Sequence, residues 1–168
     1  MSSPKSSRVI PIRTVIARII RNRPTSPQAF RDAGIKLRYL DEGVFRRTFK
    51  VSGCPLVIKF PLEADGIQHS ASEVNRIRRL SRIKELAPHL PKVLHFNRKH
   101  GILVMEYYKP LDPVKGIELL GKVIRKLVSR IARVAMSDIH YDNIRQGKQG
   151  GQVQRSRILR VYEAVRAR

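Results

Sequence analysis

Between Leu37 and Phe60 the chain has three short strand-like runs joined by turn signals, and this stretch limits the fold more than any other. Leu37–Glu42 and Thr48–Val51 flank a loop at Gly43, and Pro55–Phe60 follows the Ser52-Gly53 turn. Turns this tight join antiparallel neighbours, since a parallel partner needs a crossover of about a dozen residues or more. Val74, Ile77, Leu80 and Ile83 then recur at helical spacing, which predicts one helix from about Ser70 to Ala87. Val93–Asn97 and Ile102–Tyr107 read as two further strands around the turn Asn97–Gly101. The expected class is α+β, a twisted antiparallel sheet carrying one helix.

Residues 1–34 read as a basic N-terminal extension. Within it Val9–Ile20 fits a short basic helix or a strand, and a short helix runs from Ser26 to near Gly34. The acid-free, arginine-containing start is compatible with an organellar transit peptide. A flexible extension is the reading adopted, and no targeting signal is assigned. Residues 35–109 form the sheet lobe and 110–146 a reduced helical part, with Pro110 and Pro113 marking the linker. Ile117, Leu120, Ile124, Leu127, Ile131 and Val134 give a long helix over roughly 114–135 its apolar stripe. Residues 147–168 are a basic tail, read as helical from Arg155.

At 168 residues and 42% apolar content the chain can bury one real core. Its net charge of +22 attracts nucleic acid, anionic surfaces or phosphorylated partners, although a merely soluble basic surface has the same composition. Only 6% of residues are aromatic and no stacking motif is visible, which counts against sequence-specific RNA recognition. The single cysteine, Cys54, excludes an intramolecular disulfide and fits a reducing compartment or indifference to redox state; the expected localisation is cytoplasmic. Its place in Ser-Gly-Cys-Pro suits a turn rather than a nucleophile. No apolar run approaches the ~20 residues of a membrane span.

Lys59 ends the run Leu56-Val57-Ile58-Lys59, which sets an ammonium on a strand otherwise apolar. Alone it equally suits an edge lysine that guards against aggregation. Glu73, fourteen residues on, shares a helical face with Ile77 and Leu80 and should point inward. An inward carboxylate needs a cation, which Lys59 supplies; a capping box with Ser70 as N-cap is the competing explanation. Upstream lies Leu40-Asp-Glu-Gly43-Val-Phe45-Arg-Arg-Thr48, and downstream Leu103-Val-Met105-Glu106-Tyr107-Tyr108. Last comes Asp138, followed five positions later by Asn143.

Taken in this order, the pieces from about Leu37 to Ile144 resemble the protein kinase-like superfamily. The resemblance implies an antiparallel N-terminal lobe with one helix plus a reduced helical C-terminal part. It also implies ATP and Mg2+ as cofactors. Gly43 would belong to the loop over the phosphates, and Lys59, paired with Glu73, would reach them. Glu106, Tyr107 and Tyr108 would form the adenine hinge, with Met105 as gatekeeper. Asp138 would take the acceptor's proton and Asn143 would hold magnesium. The acceptor, a protein hydroxyl or a small molecule, stays open.

The pattern also departs from that family. Asp41 and Arg46 stand where the loop's outer glycines belong, and Arg46 and Arg47 could either contact phosphates or block the loop. No Asp-Phe-Gly follows Asn143; the only later acid is Glu163. His140 replaces the lysine usual in protein kinases and is similar to small-molecule kinases, while Met136 replaces the usual histidine. As a metal ligand His140 lacks a second histidine at suitable spacing, and His69, His89, His95 and His100 read as surface or turn residues. The expectation is a truncated or degenerate phosphotransferase module, weakly active or a pseudokinase. The alternative is a basic protein binding nucleic acid or another anion on a kinase-like scaffold.

Overall fold

The chain is α+β. A computed structural model describes residues 9–82, 84, 87, 90–110, 144–146 and 159–161. These fall into two compact units, one running to Val74 and including Lys92–Tyr107, the other taking Asn75–Pro91 and the chain from Tyr108.

The first unit holds helices α1 (Ile12–Asn22) and α2 (Pro27–Asp32), then strands β1 (Leu37–Glu42), β2 (Arg46–Val51) and β3 (Leu56–Pro61). Helix α3 (Ala64–Leu80) begins in it, and β4 (Val93–Asn97) and β5 (Ile102–Glu106) complete it. The five strands form one antiparallel sheet in the order β1-β2-β3-β5-β4. The α3 crossover thus carries the chain past the place of β5 to the far edge.

Strand alternation divides the sheet into two faces. Phe49 and Val51, Leu56, Ile58 and Phe60, and Ile102 and Val104 share one buried core with Val15 and Ile19 of α1 and Phe30 of α2. The Phe30 ring stands edge-on to Phe60 with centroids 5.3 Å apart. The segment expected as a flexible basic extension therefore builds one side of the core. Val15 and Ile19 lie four residues apart, on one stripe of α1, which leaves its arginines outward. Ser26 caps α2, its Oγ accepting the Ala29 N–H at 3.2 Å, and Pro27 opens the first turn.

Helix α3 starts at Ala64, six residues before the expected Ser70, and closes at Leu80 rather than near Ala87. Gly66 and Gln68 hide the first turns from an apolar period, while Asp65 complements the helix dipole there. Ser81 N–H still reaches the Ile77 carbonyl, but Arg82 N–H turns back to Arg79, and Ser81 Oγ donates to the Arg78 carbonyl. That tightening ends the helix.

In the second unit, β6 (Lys109–Pro110), β7 (Ile144–Gln146) and β8 (Leu159–Val161) form a small antiparallel sheet. Residues 159–161 are thus a strand where a terminal helix was expected; cross-strand pairing of Leu159 and Val161 with β7 overrides a weak helical pattern. The expected long helix over 114–135, with Asp138, His140 and Asn143, lies outside the described residues. Among the described residues no helix is long and apolar enough to cross a membrane.

Candidate functional site

Lys59 is the fourth residue of β3, a central strand, and lies opposite Thr48 of β2 and Leu103 of β5. Its neighbours Ile58 and Phe60 enter the core with α1 and α2, so Lys59 is on the other face. Glu73 of α3 meets it there: the ammonium donates to Oε1 at 2.8 Å and to Oε2 at 3.2 Å. Both side chains are largely shielded, at 14% and 15% exposure. Sequence reading had proposed this meeting. The rival capping role for Glu73 falls away, because Ser70 is a fully buried residue inside the helix whose Oγ makes no hydrogen bond.

A second cation shares the carboxylate. Arg46, the first residue of β2, donates from Nη1 to Glu73 Oε2. Burial pushes the Glu73 pKa up, but the Lys59 and Arg46 charges and their hydrogen bonds outweigh it and hold the group down at about 2. The carboxylate is therefore ionised throughout the neutral range. Sequence reading treated Arg46 only as a loop residue, because it began β2 at Thr48. The two extra strand residues carry Arg46 onto the Thr48 face, and the signal that finds it is alternation counted backward from Lys59's partner.

The β1–β2 connection has one exposed end, closed by the Gly43 N–H donating to the Arg46 carbonyl at 3.0 Å, and one anchored end. Gly43 has nothing within 4 Å of where a Cβ would sit, and its φ is not left-handed. Val44 beside it is 81% exposed. The anchored end is Phe45, whose carbonyl accepts the Leu62 N–H at 2.9 Å. Its ring stacks on His69 of α3 with centroids 3.8 Å apart. His69, expected at the surface, is thus a packing partner of the loop, and His95 on β4 is half-buried, where burial lowers its pKa. Gly66, which sequence reading missed, makes the close approach possible: a Cβ there would overlap the Phe45 carbonyl oxygen and lie 2.8 Å from Pro61 Cβ. Its signal was a glycine inside a helix, a position that needs a packing reason.

At the expected hinge, Glu106 N–H donates to the Lys92 carbonyl at 3.1 Å and Tyr107 N–H to the Pro55 carbonyl at 2.8 Å. Those two donors are already engaged inside the protein. The Lys50 ammonium lies 4.2 Å from the Tyr107 ring centroid, Met105 is buried on β5, and Tyr108 is buried. Cys54 is buried too, and burial pushes its thiol pKa up, which disfavours the nucleophilic thiolate. Among the described residues no cluster of three or more His, Cys, Asp or Glu side chains could hold a metal ion.

No protein-family model and no curated protein matches the chain. Among solved structures, a ternary complex of streptomycin, ATP and APH(2″)-IIa matches at 17% identity, with a TM-score of 0.41. The match covers 71% of this chain and 34% of that one, so this chain spans about a third of its length. A likeness this distant carries neither fold nor function; the sheet order and the ion pair stand on their own geometry.

Proposed function

We propose that the chain is a kinase-like nucleotide-binding module in which Lys59 binds the α- and β-phosphates of ATP. The observation that carries this reading is the shielded Lys59–Glu73 pair, at 2.8 Å, on the sheet face opposite the α1–α2 core. A carboxylate on a helix fixes the lysine rotamer and keeps the ammonium charged where phosphate would approach. Gly43, whose own N–H donates to the Arg46 carbonyl at 3.0 Å, contributes the absence of a side chain at the exposed end of the β1–β2 loop, where the same phosphates would approach. With the N–H groups of Glu106 and Tyr107 engaged, adenine recognition at the hinge falls to carbonyl groups and the flanking residues. Bound ATP would supply the γ-phosphoryl group. Asp138 would accept the proton of an acceptor hydroxyl, and Asn143 is the assigned magnesium ligand; both roles come from the sequence resemblance.

Thermal melting with Mg-ATP tests the reading. At about 100-fold excess over Kd, binding stabilises by about 2.7 kcal/mol, a rise on the order of 5–10 °C. We expect that rise for the natural chain and none for Lys59→Ala. Equal shifts in both proteins would remove the nucleotide site from this face. The net charge of +22 favours a second reading, a basic protein that binds nucleic acid through its phosphates.

A further inference from the structure

We propose that Arg46 is a second phosphate ligand on the Lys59 face, a guanidinium fork that binds a polyphosphate chain alongside the ammonium. The inference deepens the nucleotide reading and rests on it for the identity of the natural ligand. Arg46 lies opposite Pro61, and Thr48, two residues on, lies opposite Lys59. Arg46 and Lys59 are therefore diagonal neighbours on one sheet face, about 7–8 Å apart, a separation that a di- or triphosphate can bridge. Both cations hold the same carboxylate, which aims them at a common volume.

The guanidinium has donors to spare. It carries five N–H groups in a planar fork, and among the described residues only Nη1 is used, on Glu73 Oε2. The side chain is 22% exposed, shielded enough to strengthen a charged contact and open enough to admit a ligand. Arg47 next door has the opposite surroundings: it is exposed and pairs with Glu42 across the hairpin. Alternation along β2 thus sends one of the two adjacent arginines to the site and the other away from it.

The backbone leading to Arg46 is held in place before any ligand arrives. Phe45 is fixed by the Leu62 hydrogen bond, by its stack on His69 and by the close approach of Gly66. A side chain that starts from an anchored residue loses little further freedom on binding. In the resemblance, Arg46 occupies the place of a loop glycine. There the usual backbone approach to phosphate is replaced by a bidentate fork, the geometry in which arginine exceeds lysine.

Calorimetric titration of the full chain with sodium tripolyphosphate, and separately with ATP, tests this at about 150 mM salt, where diffuse charge effects are screened. Arg38→Gln removes the same charge from the same sheet face, opposite Lys50 on the exposed edge strand β1 and two strands from Lys59, outside the Arg46–Glu73–Lys59 cluster, and serves as control. We expect one saturable tripolyphosphate site, weakened about tenfold by Arg46→Gln, a few-fold by Arg46→Lys and less than about twofold by Arg38→Gln. Arg46→Lys retains the charge beside Glu73 and carries the test if Arg46→Gln fails to fold. Arg46 variants that match Arg38→Gln, or bind more tightly than the natural chain, would overturn the proposal, the latter by showing that Arg46 occludes the site. If the Arg46 effect holds while ATP binds no better than tripolyphosphate, the anion site stands and the nucleotide reading fails.

Discussion

Glu73 is the residue on which the site's electrostatics turn, because one shielded carboxylate holds two cations from different strands. Removing it leaves Lys59 and Arg46 facing each other without their shared counter-charge. Glu73→Gln is therefore expected to cost about 3 kcal/mol near neutral pH, as for other broken shielded pairs. The pH dependence has a definite sign. The folded pKa, about 2, lies below the ordinary 4.5, so the contribution is complete above about pH 4.5 and is lost as pH falls through about 2. Urea unfolding of both proteins at about pH 7 and about pH 3 should show the gap between them narrowing in acid. A gap that stays constant would mean that Glu73 is not the titrating group. At this scale the Lys59–Glu73 contact was legible in the sequence, since a strand period and a helix period each fix a face. Arg46 was not, because its face depends on where β2 begins, and a charged loop gives no mark of that boundary.

At the scale of elements, the contact between α3 and the β1–β2 hairpin is built on the absence of a side chain. Gly66 touches the Phe45 carbonyl and Pro61, and Gly101, in the β4–β5 turn at φ 63°, approaches the backbone of Ile67. Gly66→Ala should force the helix off the hairpin and cost about 1–3 kcal/mol, in the range of other overpacked contacts. Gly43→Ala, in open space, should change stability by less than about 0.5 kcal/mol. If Gly43 lines the phosphate site, the same substitution should weaken ATP at unchanged stability. Chemical denaturation ranks the two variants, and equal costs would refute this account of the α3 contact. The sheet itself was readable, because its runs are short, apolar and punctuated by turns. The start of α3 was not, since its first turns carry Gly66 and polar residues where an apolar period would announce a helix. The role of α1 and α2 was hidden by composition: three arginines interrupt the apolar residues of α1, of which Val15 and Ile19 are buried in the core and Ile12 and Ile16 pack against it. Residues 159–161 show the converse, a helical-looking basic stretch drawn into a strand by a partner distant in the chain.

At the scale of the whole molecule, a net charge of +22 means that binding to any polyanion has to be divided into a local part and a diffuse part. The diffuse part depends on counterion release, so it falls steeply with salt and takes little notice of which arginine is missing. The local part depends on the Arg46–Glu73–Lys59 geometry and is screened less, because these side chains are largely shielded. The two should therefore separate in one set of titrations. For a fluorescent duplex of arbitrary sequence, we expect affinity to drop at least about 100-fold between about 50 and 200 mM salt. The effects of Arg46→Gln and Arg38→Gln on the duplex should agree within about twofold, as befits the loss of one charge among many. Tripolyphosphate, by contrast, should discriminate sharply between those two variants at every salt concentration. A duplex affinity that collapses only in Arg46→Gln would place nucleic acid on the Lys59 face itself. The second reading, a phosphate-driven nucleic-acid binder, would then take over the site, and the excess charge would serve recognition there rather than simply surrounding it.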